Sequence, residues 1–113
     1  MEINIMLNGA YEGGDGDSKA ILKITDSDAS RDIINGGTYE YAGKVYDVRG
    51  NFYYMSQPNT KVVINLVLAS RDDSPSYEMK LMSPDKTYSL LQGTVSYFGG
   101  GATVFSASLG KTA

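Results

Sequence analysis

The chain has 113 residues, of which 42% are hydrophobic and 20% are charged, and this composition is typical of one soluble globular domain spanning residues 1–113. The absence of cysteine excludes disulfides and thiolate zinc sites. With a net charge of −3 and ten basic residues scattered singly, nucleic acid is not expected as a partner.

Apolar and polar residues alternate along eight segments, which predicts eight β-strands and little helix. The segments are residues 2–8, 19–25, 38–42, 45–55, 61–70, 76–82, 87–98 and 102–110. The connections between them are rich in glycine, asparagine and aspartate, as at residues 13–17 and 35–37, and they hold all three prolines. Residues 28–34 could form one short helical turn, since Asp32 precedes two isoleucines.

The segment at residues 61–70 is apolar on both faces, which indicates a strand that is central or covered on both sides. One face carries Val62, Ile64, Leu66 and Leu68, and the other carries Val63, Val67 and Ala69. The cover for the second face is either the segment near Ile33 and Ile34 or a second copy of the chain. We favour the second copy, so the sequence predicts a homodimer.

In three places an alternating apolar face carries a glycine in the same slot, at Gly9, Gly50 and Gly93. A missing side chain on a buried face lets a strand bend or approach its neighbour closely. Long strands in a small domain need such bends to curl into a closed sheet. The sequence therefore predicts an all-β fold, a small antiparallel barrel of about eight strands, with a two-layer β-sandwich as the alternative.

Three segments resemble the apolar-x-Gly-x-aromatic strands of calycin barrels such as the avidins and lipocalins. They are Leu7-Asn8-Gly9-Ala10-Tyr11, Val48-Arg49-Gly50-Asn51-Phe52 and Leu91-Gln92-Gly93-Thr94-Val95. The resemblance implies a closed barrel. The chain departs from those families in having no tryptophan, and its third segment has valine at the aromatic position. No ligand-binding residue is carried over from the calycins.

The sequence predicts neither an enzyme nor a cofactor or metal site. It contains no histidine, which is the commonest general base and metal ligand. Asp26, Asp28 and Asp32 are spaced somewhat like the ligands of a calcium loop. Arg31, however, stands where the loop needs its sharp-turn glycine, and no bidentate glutamate follows. We therefore expect a solvated loop in this region.

Tyrosine is the main functional lead, with nine in the chain. It combines a large rigid contact area with one hydroxyl, and it is common in recognition surfaces together with Asn, Ser and Gly. The candidate binding residues are Tyr46, Tyr53, Tyr54, Tyr97 and Asn51. Alternation places Tyr46 and Tyr54 on the buried face and Tyr53 and Asn51 on the other. The alternative role for these tyrosines is to fill the barrel as good strand formers.

A domain this small needs its interior for stability, so we expect function on the outside. The sequence favours a non-catalytic binding module that recognises a protein partner, such as a small intracellular inhibitor or interaction protein. The alternative is a carbohydrate- or small-ligand-binding barrel whose partner is a glycan. The amino terminus alternates and carries Glu2, unlike a secretory signal, and no apolar run is long enough to span a membrane. We expect a cytoplasmic protein with no membrane partner.

Overall fold

The chain forms eight strands in a computed structural model that describes residues 7–13, 19–28, 31–41, 43–54, 62–72, 75–83, 88–99 and 103–112. The strands are β1 Gly9–Gly13, β2 Ala20–Asp28, β3 Ile33–Tyr41, β4 Lys44–Tyr54, β5 Val62–Ser70, β6 Tyr77–Ser83, β7 Leu90–Tyr97 and β8 Thr103–Lys111. Within these ranges the predicted strand number is confirmed, and none of the residues is helical.

The strands form an antiparallel up-and-down barrel in which each strand pairs with the next along the chain. The barrel closes where β1 pairs with β8, in a register that sets Tyr11 opposite Lys111 and Gly13 opposite Leu109. The predicted barrel is thus confirmed, and the fold is not the alternative two-layer sandwich. The closing register covers three residue pairs, Tyr11–Gly13 against Leu109–Lys111, whereas β4, β5, β6 and β7 are each paired with a strand on both sides.

Gly50 and Gly93 face the interior, as predicted, and neither position has room for a side chain. A Cβ at Gly50 would collide with the Asn65 carbonyl of β5, and a Cβ at Gly93 would collide with the Lys80 carbonyl of β6. The neighbouring strand therefore occupies the space that a side chain would need. This close approach lets β4 and β7 curl tightly enough to close a small barrel.

Inward side chains from all eight strands fill the barrel with a single apolar core. The fully buried ones include Tyr11, Leu22, Ile24, Ile34, Val48, Phe52, Ile64, Leu66, Leu68, Met79, Leu81, Leu91, Val95 and Leu109. Leu7 and Tyr88 lie outside the strands and are also fully buried, and the Tyr11 hydroxyl donates a hydrogen bond to the Leu7 carbonyl at 2.5 Å. Because the core occupies the interior, the surfaces available for recognition lie outside it.

The second apolar face of β5 points outward and is partly covered by its own neighbours. Val63 is only 3% exposed, and its cross-strand partners are Tyr53 on β4 and Met82 on β6. Tyr53 and Met82 themselves are exposed. We call Tyr53, Val63 and Met82 the apolar patch. Val67 and Ala69, further along β5, are half-buried.

The first predicted strand is wrong in its described part. Leu7 and Asn8 precede the strand, residues 2–6 lie outside the described residues, and β1 runs instead over Gly9–Gly13. The prediction ended too early because Gly13 looked like a turn residue. In the barrel, Gly13 faces the Ser108 carbonyl of β8 so closely that a Cβ could not fit, which makes glycine a requirement of the strand.

The predicted helical turn at residues 28–34 is not found in its described part, and residues 29–30 lie outside the described residues. Arg31 and Asp32 form a tight turn, with Asp32 at a φ of 57°, and β3 begins directly at Ile33. Ile34 is buried in the core, so it does not cover the outer face of β5. The predicted turn at residues 35–37 lies inside β3, where the pairing with β4 shifts register between Ile34 and Thr38. Residues 35–37 therefore lie at a β-bulge within a strand and not in a turn between two strands.

Candidate functional site

Five tyrosine rings form a continuous row at one end of the barrel. Tyr41 stacks on Tyr39 with 6.3 Å between ring centroids, and Tyr39 lies 6.2 Å from Tyr46. Tyr46 meets Tyr77 edge-on at 5.7 Å, and Tyr77 stacks on Tyr97 at 5.4 Å. We call this end of the barrel, with these five rings and Phe98, the tyrosine end.

Strand pairing brings these rings together. Tyr39 and Tyr46 are direct cross-strand partners on β3 and β4, and Tyr77 and Tyr97 are partners on β6 and β7. Tyr41 lies two residues from Tyr39 and so shares its face of the strand. Aromatic pairs at these separations add about 0.5–1.5 kcal/mol each beyond their buried area. The row is therefore a rigid platform rather than a set of independent side chains.

Exposure is lowest at Tyr39 and Tyr46 and rises from there toward β7, whereas Tyr41 at the other end of the row is half-buried. Tyr39 and Tyr46 are buried, Tyr77 is half-buried, and Tyr97 is 46% exposed. Phe98 follows Tyr97 in the turn after β7 and is 57% exposed, the largest value among the exposed large hydrophobic residues that the structure describes. The backbone N–H of Phe98 donates to the Ser76 carbonyl at 3.1 Å, which anchors this turn to the start of β6. An anchored aromatic pair thus faces solvent.

The buried tyrosines of the row remain neutral phenols. Burial raises the pKa of Tyr39, and the neighbouring Tyr41 and Tyr46 raise it further. The pKa of Tyr46 is raised mainly by burial and secondarily by Tyr77. The Tyr39 hydroxyl is buried and has no hydrogen-bond partner among the described residues. These groups can donate a hydrogen bond, but they cannot act as bases near neutral pH.

Two ion pairs lie at the rim of the tyrosine end. Arg71 donates from Nε and Nη2 to one carboxylate oxygen of Asp47, at 3.1 and 2.7 Å. Lys44 lies 3.3 Å from Asp72. The hydrogen bond from Arg71 lowers the pKa of Asp47, so this carboxylate stays ionised. All four side chains are solvent-exposed, so these pairs order the rim more than they stabilise the fold.

A second feature is a half-open groove of about 470 Å³ on the outer wall of β4–β7. We call it the outer groove. Its lining residues are Gly50, Asn51, Asn65, Leu66, Val67, Glu78, Met79, Lys80, Thr94 and Ser96. Its two banks are cross-strand rows, Asn51–Asn65–Lys80–Thr94 on one side and Val67–Glu78–Ser96 on the other. The groove therefore runs across the strands, over the position where Gly50 draws β4 against β5.

The outer groove offers several unused hydrogen-bonding groups. Asn65 Nδ2 donates to Asn51 Oδ1 at 3.2 Å, which fixes the two amides side by side. Among the described residues, neither Glu78 nor Lys80 forms an ion pair, although both face outward from β6. The groove thus presents amide, carboxylate and ammonium groups on a rigid wall.

The predicted binding residues do not form one site. Tyr46 and Tyr97 lie at the tyrosine end, Tyr53 lies in the apolar patch, and Asn51 lies on a bank of the outer groove. Tyr54 is the last residue of β4, and its side chain lies outside the described part of the structure.

Sequence reasoning missed the other members of both surfaces. Tyr39, Tyr41 and Tyr77 belong to the tyrosine row, and Asn65 and Glu78 line the outer groove. The tyrosines could have been found by pairing the predicted strands as hairpins, because strand ends that meet at one rim carry them. The groove residues could not have been found in this way, because alternation predicts only that they face outward, as many other polar residues do.

The aspartates at residues 26–32 lie around the turn between β2 and β3. Asp28 contacts Arg31 at 3.7 Å, and Asp32 has the positive φ of the turn. In the described part of the chain, no group of three or more possible metal ligands comes together.

None of the described residues forms a helix long and apolar enough to cross a bilayer. Comparison of the chain with protein-family models, with curated proteins and with solved structures finds no match. The likeness to calycin strands stays a prediction that rests on the three segments alone.

Proposed function

We propose that the protein is a non-catalytic binding module that recognises a protein partner through its tyrosine end. The observation that carries the proposal is the exposed pair Tyr97 and Phe98: the Tyr97 ring stacks on Tyr77, and the Phe98 backbone is anchored to Ser76. Large aromatic side chains that are already rigid lose little conformational entropy on binding, which makes them frequent hot spots of protein interfaces.

The tyrosine end also carries charged groups that suit a protein interface. The ion pairs Arg71–Asp47 and Lys44–Asp72 lie beside Tyr46 and present both signs of charge. Such an arrangement, an apolar centre within a polar rim, is the usual anatomy of a protein–protein contact. A small interaction protein or inhibitor of this kind forms one stoichiometric complex.

The non-catalytic part of the proposal rests on the available side chains. The sequence has no histidine or cysteine, and the buried tyrosines have raised pKa values. The groups at the tyrosine end are therefore suited to packing and hydrogen bonding rather than to proton transfer near neutral pH.

Capture experiments with two matched variants test the proposal. Tyr97 and Tyr53 are about equally exposed, at 46% and 45%, but only Tyr97 lies at the tyrosine end. In lysate of the native host, the immobilised protein should retain one protein in stoichiometric amount. Tyr97→Ala should weaken this complex about tenfold or more, whereas Tyr53→Ala should not. Equal losses in both variants, or no stoichiometric partner, would refute recognition by the tyrosine end.

The second candidate function is binding of a carbohydrate or small ligand. In the described part of the chain, apolar side chains pack into one core inside the barrel, so we place such a ligand on the outer wall. The outer groove favours this candidate, because its volume of about 470 Å³ lies in the range of small-molecule sites. Its polar lining is suited to a ligand rich in hydroxyl groups.

We further propose a homodimer formed through the apolar patch. Tyr53 and Met82 are exposed on either side of Val63, and together they form an apolar row across β4, β5 and β6. Light scattering measures the mass in solution. The protein should run as a dimer and Met82→Glu as a monomer, because a charge in a desolvated contact is costly. A monomeric wild type would refute the dimer.

A further inference from the structure

We infer that the outer groove is a binding site for a short neutral saccharide that presents vicinal hydroxyl groups. The inference rests on the second candidate function and is independent of the tyrosine end. It names the site, the ligand class and the side chains that recognise it.

The asparagine pair supplies the specific recognition element. Because Asn65 Nδ2 donates to Asn51 Oδ1, each amide keeps one group for a ligand: Nδ2 of Asn51 as donor and Oδ1 of Asn65 as acceptor. The other described residues make no hydrogen bond to either group. A donor and an acceptor side by side match two neighbouring hydroxyls of a sugar ring, one accepting and one donating.

The charges of the groove favour a neutral ligand. Glu78 and Lys80 lie on opposite banks, and their charges cancel. The carboxylate accepts hydrogen bonds from hydroxyls, and the ammonium group donates to them. A phosphate or sulfate would meet the Glu78 carboxylate as well as Lys80, so an anion is disfavoured.

The architecture of the wall disfavours an extended peptide. Peptides bind to sheets mainly by adding a strand at a free edge, and the strands that form the groove, β4–β7, are each paired on both sides. Val67 is the apolar side chain that faces outward on a bank, so the groove lacks deep apolar pockets for peptide side chains. Thr94 and Ser96 add two hydroxyls that can donate or accept.

The floor of the groove is backbone. Gly50, Leu66 and Met79 form an inward-facing cross-strand row, so their backbone lies between the two outward rows that form the banks. The backbones of β4 and β5 approach closely at Gly50, where a Cβ would collide with the Asn65 carbonyl. A rigid concave surface of this kind requires little rearrangement on binding, which suits a ligand that gains only a few hydrogen bonds.

The test uses isotope-labelled protein and two-dimensional NMR, with N,N′,N″-triacetylchitotriose, maltotriose, cellotriose and lactose as probes and triglycine as a peptide control. At least one saccharide should shift the backbone amides of Asn51, Asn65 and Lys80 with millimolar affinity, and triglycine should not. Asn65→Ala should weaken this binding about tenfold through the loss of its acceptor and of the ordered Asn51 amide. The control Gln92→Ala, exposed on the outer wall beyond the groove, should bind normally.

The outcomes of this experiment distinguish failure of the groove site from failure of carbohydrate binding as a whole. Saccharide shifts that cluster at the tyrosine end instead would overturn the groove site while keeping carbohydrate binding. Absence of shifts with all four saccharides would overturn both. Shifts at the groove that persist in Asn65→Ala, or that triglycine reproduces, would overturn the assigned recognition chemistry.

Discussion

Gly93 of β7 lies against the backbone carbonyl of Lys80 on β6, in a position where no side chain fits. A Cβ at Gly93 would also come within 2.9 Å of the Leu81 α-carbon. Both neighbours are backbone atoms of a paired strand, so they cannot move aside as a flexible side chain would. The close approach of β6 and β7 at this point therefore requires glycine at position 93.

Gly93→Ala should therefore lower the free energy of unfolding by about 1–3 kcal/mol, because the added methyl forces β6 and β7 apart. Gly110→Ala is the matched control, since a Cβ at Gly110 has its nearest described neighbour 4.0 Å away, at the Ser89 carbonyl. Urea unfolding of both variants measures the difference. A Gly93→Ala protein as stable as Gly110→Ala would contradict the close approach of the strands.

The two faces of β5 give a second prediction. Leu66 is buried inside the barrel, whereas Val67 points outward and is half-buried. Leu66→Ala should cost about 2–5 kcal/mol of stability, because it leaves a cavity in the core. Val67→Ala should cost clearly less in the monomer. Thermal melts at low protein concentration distinguish them, and similar losses would mean that the outer face of β5 is also core.

Alternation and inward glycines were enough to predict the strand number and the closed barrel. The predicted strand boundaries were wrong where a glycine lies inside a strand and not in a turn. Gly13 and Gly37 looked like loop residues, but each lies in a strand against a neighbouring carbonyl that excludes a Cβ. A single sequence does not separate these two uses, because the reason for the glycine lies on a strand distant in sequence.

The candidate surfaces were harder to predict than the fold. Tyr46 and Tyr97 were singled out, but the row that joins them passes through Tyr77 on another strand. The outer groove depends on which residues of four strands stand side by side. The sequence indicates Asn51 as a candidate binding residue but gives no reason to pair it with Asn65. Alternation shows which face of a strand a residue occupies, but it does not show which residue lies opposite on the next strand.

Removing the hydroxyl of Tyr11 and removing that of Tyr39 should change the free energy of unfolding in opposite directions. The Tyr11 hydroxyl donates to the Leu7 carbonyl at 2.5 Å, whereas the Tyr39 hydroxyl has no partner among the described residues. Tyr11→Phe should lower the free energy of unfolding by about 1 kcal/mol, and Tyr39→Phe should raise it by a similar amount. Chemical unfolding of the two variants measures both changes. Destabilisation by Tyr39→Phe would mean that its hydroxyl has a hydrogen-bond partner after all.

The raised pKa values of Tyr11 and Tyr39 should make the folding stability of the protein depend on pH in the alkaline range. Burial raises the pKa of both above the ordinary value, with smaller contributions from Tyr88 for Tyr11 and from Tyr41 for Tyr39. In the unfolded chain each phenol ionises near pH 10, whereas the folded protein still holds both protons there. The unfolded state then binds fewer protons, so stability is retained below about pH 10 and falls as pH rises above it.

The loss from these two groups should be about 1.4 kcal/mol per pH unit for each tyrosine between its unfolded and folded pKa values. Urea midpoints measured from pH 8 to 11.5 should decline steeply above pH 10. The decline should be shallower in the double variant Tyr11→Phe and Tyr39→Phe, because both linked protons are gone. An identical slope in the double variant would show that these two phenols already ionise at ordinary pH in the folded barrel.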